Sequence, residues 1–413
     1  MAATSYDSIV TNPAAIPDAA DLSATLARLA DRCVLCGLCL PHCPTYETDR
    51  QESESPRGRI SLIHALAENR IDPANVDFAH LDHCLDCRRC EVVCPAKVNY
   101  GALLSGGRQL QRQRGHAAEP VWLKAVGALL ARPRLLDRLL GLARPIWRLL
   151  PQRWRKSLPA PPSRQALTRR SDRHAAPRTS TALFLGCVAR RYATAAQQAA
   201  IDLLQALGHE VNLPVAQTCC GAQATHAGQS DRAEALKRKN QLAFDDAVRV
   251  ATLDSGCHEA LADSLQAETI DILDLLDRDE AFDRLIRHGP TQRIAVFAPC
   301  TQRNVVRSDA ALHRLFARLP GVETVWLDTG CCGAAGDHML RFPDRATALR
   351  EPLLQQLIDS GCEELLVANT GCRLHLQAGI EQRGLDIDVR HPVEWLAERL
   401  LPATPEIPLE DSA

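Results

Sequence analysis

Sixteen of the seventeen cysteines in this 413-residue chain fall into repeated spacings, and thiolates at fixed spacing point to metal chemistry. Cys33, Cys36, Cys39 and Cys43-Pro44 form C-x2-C-x2-C-x3-C-P, and Cys84, Cys87, Cys90 and Cys94-Pro95 repeat it spacing for spacing. A run of this kind wraps a cubane [4Fe–4S] cluster; where two runs share a chain, the fourth thiol of each reaches across to the other cluster. One cluster is therefore expected on Cys33, Cys36, Cys39 and Cys94, and the other on Cys84, Cys87, Cys90 and Cys43. Structural zinc prefers separated C-x2-C pairs, and a disulfide framework needs an oxidising compartment. A cubane cycles by one electron, and a second one nearby gives that electron somewhere to go.

The other eight cysteines belong to an internal duplication. Phe184-Leu-Gly-Cys187-Val-Ala-Arg190 matches Phe297-Ala-Pro-Cys300-Thr-Gln-Arg303; Cys219-Cys220-Gly221-Ala222 matches Cys331-Cys332-Gly333-Ala334; Asp254-Ser-Gly-Cys257 matches Asn369-Thr-Gly-Cys372. Each unit thus supplies four thiols in the order Cys, Cys-Cys-Gly, Cys: Cys187, Cys219, Cys220 and Cys257, then Cys300, Cys331, Cys332 and Cys372. Adjacent cysteines can face one centre only on a turn, and the glycine that follows permits one. Iron–sulfur and zinc both suit four thiolates, so one or two further metal centres are expected, iron–sulfur ahead of zinc. Cys362 has no counterpart and reads as a small core residue.

The elements that must position these thiols follow from periodicity. Helices are expected over Asp21 to Asp31 and, after a Pro56-Arg57-Gly58-Arg59 turn, over Gly58 to Asn69. Each duplicated unit alternates strand and helix: strands at Ala182–Leu185, Arg293–Ala298, Glu323–Leu327 and Glu364–Ala368, and helices at Thr194–Leu207 and Ala310–Leu319. That pattern predicts two small α/β units with parallel sheets and thiols at strand ends. Five regions are expected: a tail over 1–20, a cluster domain over 21–115, a basic helical connector over 116–180, and two units over 181–290 and 291–405.

Net charge is −2, but residues 116–178 hold fourteen Lys/Arg against three acids. That segment is therefore +11 and the remainder −13. It also holds Trp122, Trp147 and Trp154, three of the five tryptophans. A basic amphipathic helix with tryptophan suits either an anionic lipid surface or packing on the acidic remainder. No recognition module accompanies the charge, which argues against nucleic acid. The N-terminal stretch has no basic n-region or apolar h-region, so a cytoplasmic protein with reduced thiols is expected, either free or peripheral on the inner membrane. His226 and His338 each follow a Cys-Cys-Gly motif by six positions and are candidates for tuning a centre or serving an acceptor, as are Arg57 and Arg59 between the cluster runs. His42 and Arg88 are expected to face outward.

The duplicated units resemble the CCG cysteine-rich domains of heterodisulfide reductases. That family's pattern ends in C-x-x-C, whereas Asp254 and Asn369 stand at the first of those two positions here. The departure counts against a catalytic five-thiolate cluster. The order of cluster runs, Pro56-Arg-Gly-Arg59 segment and two CCG units resembles the iron–sulfur subunit of bacterial glycolate oxidase over roughly residues 25–400. The resemblance implies an α+β and α/β multidomain protein: a helical two-cluster ferredoxin domain followed by two duplicated small α/β CCG units. No G-x-G-x-x-G follows a strand, so no flavin is expected in this chain. Oxidising a hydroxy acid removes two electrons and a cubane takes one, so a flavoprotein partner is implied as converter, with a quinone or other acceptor downstream. D-lactate and anaerobic glycerol-3-phosphate dehydrogenases have similar layouts and stay open as alternatives, as do a heterodisulfide-reductase-like catalyst and a zinc-bound docking scaffold.

Overall fold

The computed structural model describes residues 19–402 apart from 73–74, 116–119, 150–154, 164, 169–178 and 328–329. Most of the expected tail, part of the linker and Trp154 lie outside the described residues.

Three helices build the N-terminal domain: Ala19–Ala30, Pro56–Ala67 and Tyr100–Gln113. Their apolar side chains recur at three- and four-residue spacing, which gathers Leu22, Leu26, Ile63, Leu66, Leu103 and Leu104 into one buried core. Gly106 and Gly107 permit the close crossing. A Cβ on either would lie 2.7 Å from Leu26 Cδ2 or Ile63 Cδ1, inside van der Waals contact. The expected turn at Pro56-Arg57-Gly58-Arg59 is instead the first turn of the second helix. Ser55 caps it by accepting from the Gly58 amide at 2.9 Å, and Pro56 occupies the first helical position, where no amide proton is needed.

The duplicated half contains two four-stranded sheets. In the first, β1 (Thr179–Phe184), β2 (His209–Asn212), β3 (Arg249–Thr252) and β4 (Glu268–Asp271) run in the order β2-β1-β3-β4. In the second, β5 (Gln292–Phe297), β6 (Val322–Trp326), β7 (Glu364–Val367) and β8 (Asp388–Arg390) repeat that order as β6-β5-β7-β8. Every pairing is parallel, and the inner strands of each sheet end in buried residues, 181–184, 250–252, 294–297 and 365–367, as burial on two faces requires.

The two units share one core. The helix after β1, Thr194–Ala206, packs on Pro392–Leu400, the helix after β8; Ile272–Arg278, after β4, packs on Asp309–Ala317, after β5. Each contact joins non-equivalent helices and each is the other's mirror in the duplication, so the units are related by a pseudo-twofold axis. Leu183, Ala251, Ile272, Ile294, Leu366 and Leu396 meet along it, all inaccessible to solvent. The basic connector forms helices Val121–Leu130 and Pro133–Ala143, broken at Pro133 as the sequence predicts.

Leu396→Ala removes a buried leucine from the shared core and is expected to destabilise the protein by about 2–5 kcal/mol. Urea unfolding of anaerobic protein checks this. A single transition for both units is expected, because neither sheet can expose this core alone; two separated transitions would show the units to be independent.

Candidate iron–sulfur and thiolate centres

The two cysteine runs fold onto a common backbone pattern. Leu35 and Gly37 in the first, and Asp86 and Arg88 in the second, take positive φ on either side of the run's second cysteine. Alternating left-handed residues turn successive amides and thiols toward one point, a concavity that favours an anionic centre. Only one of the four is glycine, so the wrap holds Leu35, Asp86 and Arg88 in a disfavoured conformation. One cavity is lined by Cys33, Cys36, Cys39 and Cys94, with Cys90 also on its wall. A second is lined by Cys43, Cys84, Cys87 and Cys90. The fourth thiol of each run therefore lies in the cavity of the other. Burial pushes Cys39 up to about 11 and raises Cys87 and Cys90 as well, so these thiols ionise only with a cation to receive them.

The cavities differ in surroundings. Cys36 is exposed, ringed by Val34, Leu35 and Leu38, which are 69%, 56% and 56% exposed. Cys43 and Cys87 are buried.

A charged cluster backs the second cavity. Arg59 is wholly buried; its guanidinium lies 3.9 Å from Cys43 Sγ and donates to the Thr45 hydroxyl, the Glu54 carbonyl and, at 2.5 Å, the Glu54 carboxylate. His80 and His83 donate to the other Glu54 oxygen at 2.7 and 2.6 Å. Burial alone would raise Glu54, but the two histidines and Arg59 bring it down to about 2. Arg57, by contrast, is partly exposed, tied to Glu52 and to the Leu35 carbonyl. Arg57 also lines the first cavity and acts on Cys39 through its backbone, whereas Arg59 places its guanidinium beside Cys43.

The second run is also the junction with both CCG units. Arg88, expected to face outward, is turned inward and holds Glu259 of the first unit with paired bonds of 2.5 and 2.8 Å. Gly101 makes room for it, since a Cβ there would lie 2.4 Å from the guanidinium carbon. Arg89 donates to the Gly330 carbonyl of the second unit at 2.5 Å, and the Asn304 amide donates to the Cys87 carbonyl at 2.7 Å. His226 pairs with buried Asp86, two residues into the run, and its carbonyl accepts from Arg108. His226 thus has a docking partner. His338 is buried with neither ring nitrogen bonded, against Phe342, and burial lowers it to about 3. His42 is exposed, as expected.

In the first unit the thiols of Cys187, Cys219, Cys220 and Cys257 form a continuous hydrogen-bonded chain. Asn240 holds the Cys-Cys turn by bonding the Thr218 amide and the Cys219 carbonyl, both at 2.9 Å. Gly221 supplies φ +93° and Gly333 φ +72° at the equivalent turn, where a Cβ would collide with the Ala346 carbonyl. In the second unit the sulfurs of Cys332 and Cys372 lie against each other, while Cys300 and Cys331 are free. Cys300 and Cys331 lie against Cys87; burial raises all three thiols, Cys300 to about 12, and the neighbouring sulfurs add to the rise at Cys87 and Cys300. Cys362 is buried in the apolar core of the second unit.

Asp254 and Asn369 bind each other across the pseudo-twofold axis, Asn369 Nδ2 donating to Asp254 Oδ1 at 2.9 Å. Asp254 also accepts from the Thr370 amide, and Asn369 caps its own helix at the Cys372 amide. The two positions that depart from C-x-x-C therefore seal the unit interface. Sequence reasoning missed Glu54, Asp86, Glu259 and Asn304. Only Asp86, inside a run, carried a local signal; Arg88 and Glu259 are 171 residues apart.

Glu54→Gln leaves the Arg59 charge buried without its counterion and is expected to cost about 3–5 kcal/mol in anaerobic urea unfolding. Glu52→Gln, at an exposed pair, should cost less than about 1 kcal/mol.

Comparisons with known proteins fit this geometry. The 4Fe-4S dicluster domain matches residues 29–98, and the CCG cysteine-rich domain matches twice, over 181–262 and 294–377. The glycolate oxidase iron-sulfur subunit of Escherichia coli is 29% identical over 89% of this chain and 93% of its own length. A probable glycolate oxidase iron-sulfur subunit of Bacillus subtilis is 29% identical over 90% and 93%. A dihydromethanophenazine:CoB–CoM heterodisulfide reductase chain from Methanosarcina acetivorans is 24% identical over 93% and 97%. The chain therefore carries a 4Fe-4S dicluster domain followed by two CCG cysteine-rich domains, and it is similar over nine-tenths of its length to glycolate oxidase iron–sulfur subunits.

Proposed function

We propose that this chain is the electron-transfer subunit of a flavin-dependent 2-hydroxy-acid dehydrogenase, with glycolate as the hydroxy acid, and that it carries electrons from a flavoprotein partner to a quinone or other acceptor. Cys33, Cys36, Cys39 and Cys94 would hold one cubane, and Cys43, Cys84, Cys87 and Cys90 the other. Cys187, Cys219, Cys220 and Cys257, and Cys300, Cys331, Cys332 and Cys372, would each hold a further centre, iron–sulfur ahead of zinc. When bound, such clusters supply one-electron steps, which a flavin couples to the two-electron oxidation of a hydroxy acid.

The observation that carries this reading is the contact of Cys87 with Cys300 and Cys331. It supports the reading because thiols proposed for the second cubane would then lie beside those proposed for the second CCG unit, which a docking scaffold would not need. The chain's own contribution is positional. The collar of Val34, Leu35 and Leu38 leaves Cys36 at the surface, where a partner can approach. The buried second run faces inward, held by Arg88 and Arg89. The Asp254–Asn369 contact speaks against a heterodisulfide-reductase-like catalyst, because those side chains are committed to one another.

Cys33→Ser and Cys94→Ser are expected to abolish the same cubane signal in electron paramagnetic resonance. Loss of different signals would overturn the crossed ligation. Anaerobic protein should contain about twelve or more irons, whereas about eight with added zinc would favour the scaffold. Glycolate should bleach the visible absorbance of the chain only when the flavoprotein partner is present. Bleaching of the chain alone would contradict the assigned role, and faster bleaching by D-lactate or glycerol 3-phosphate would reassign the substrate.

A further inference from the structure

The connector helix Pro133–Ala143, with the turn Arg144–Leu149 that follows, carries apolar side chains at steps of four, three, four and three: Leu135, Leu139, Leu142, Ile146 and Leu149. That spacing keeps them on one side of a helix. All five are exposed, Leu142 by 71% and Leu149 by 83%. Of the fourteen exposed large apolar side chains among the described residues, seven lie between 121 and 149. Such a concentration on one segment marks a contact surface.

The helix is docked and its orientation fixed. Asp137, on the opposite side from the stripe, is buried and forms an ion pair with Arg191 of the first CCG unit at 2.8 Å, and its carbonyl accepts from the same guanidinium at 2.5 Å. Gly141 also faces Arg191; a Cβ there would lie 2.8 Å from the guanidinium. Trp147 is buried in the following turn, so of the two readings open to it in the sequence it takes the packing one and is not an interfacial tryptophan.

Charge selects the occupant. The acid of this helix is turned inward and paired, whereas Arg132, Arg134, Arg138 and Arg144 are all exposed. The outward face is therefore leucine flanked by arginine with no exposed acid between 132 and 149. A helix-to-helix protein seam would alternate charge signs beside its apolar positions to fix a partner. A one-signed basic border around an apolar stripe fits the headgroup zone of an anionic bilayer, with leucines entering the acyl boundary. No described helix is long and apolar enough to cross a membrane, so the contact would lie in the interface plane.

We propose that the stripe from Leu135 to Leu149 is a peripheral docking surface for an anionic lipid membrane. This deepens the functional reading by placing the chain beside a lipid-soluble acceptor, but the binding is testable with no donor or acceptor present.

The test is flotation of the anaerobically purified full chain with vesicles of phosphatidylglycerol and phosphatidylcholine in equal parts, and with phosphatidylcholine alone. Wild-type protein should float with the anionic vesicles, weaken as salt is raised, and stay down with the neutral ones. Leu139→Asp with Leu142→Asp should raise the lipid concentration for half binding by about tenfold or more, and Arg138→Glu with Arg144→Glu should do likewise at low salt. Equal flotation by wild type and both variants would overturn the proposal. So would wild-type protein that ignores anionic vesicles but self-associates through the stripe, with self-association lost in the leucine variant. A reduction rate with glycolate and flavoprotein that falls while vesicle binding persists would bear on the electron-transfer role alone.

Discussion

The organisation of this protein depends on one contact, the insertion of the second cysteine run between the ferredoxin domain and both CCG units. Four consecutive residues do this. Asp86 pairs with His226, the Cys87 carbonyl accepts from Asn304, Arg88 grips Glu259, and Arg89 bonds the Gly330 carbonyl. Two of these partners lie in the first unit and two in the second. The loop that wraps a centre is thus the same loop that fixes the domains. Its backbone conformation, with Asp86 and Arg88 left-handed, persists because the surroundings over-determine it.

The pseudo-twofold symmetry of the CCG half is broken at this loop. Both units have the same strand order and the same Cys-Cys-Gly turn, yet only the second presents thiols to Cys87. The first meets the loop with an ion pair and a histidine. A duplicated unit is free to diverge in this way, because Asp254 and Asn369 hold the pair together at the axis while the outer faces change. The buried Arg59–Glu54 cluster adds fixed positive charge beside Cys43, where an anionic centre gains from it.

Much of this was legible in the sequence, because thiol spacing is a local property. The runs, the duplication and the parallel strands all come from short-range pattern, and so does the break at Pro133. The Pro56–Arg59 segment was misread as a turn, since proline and glycine there serve as helix-start chemistry rather than as breakers. Arg88 was placed outward because nothing nearby announces Glu259, which folding brings from the far side of the connector. Glu54 sits beside an exposed acid of the same type, Glu52, and only packing separates a buried counterion from a surface one.

The most direct test of the central claim is electron paramagnetic resonance of the fully reduced holoprotein, read for magnetic interaction between the centre proposed on Cys43, Cys84, Cys87 and Cys90 and the centre proposed for the second CCG unit. The account predicts a split, interacting spectrum that collapses to that of an isolated cubane in Cys300→Ser with Cys331→Ser. A wild-type spectrum that is a simple sum of non-interacting signals, unchanged by those substitutions, would contradict it.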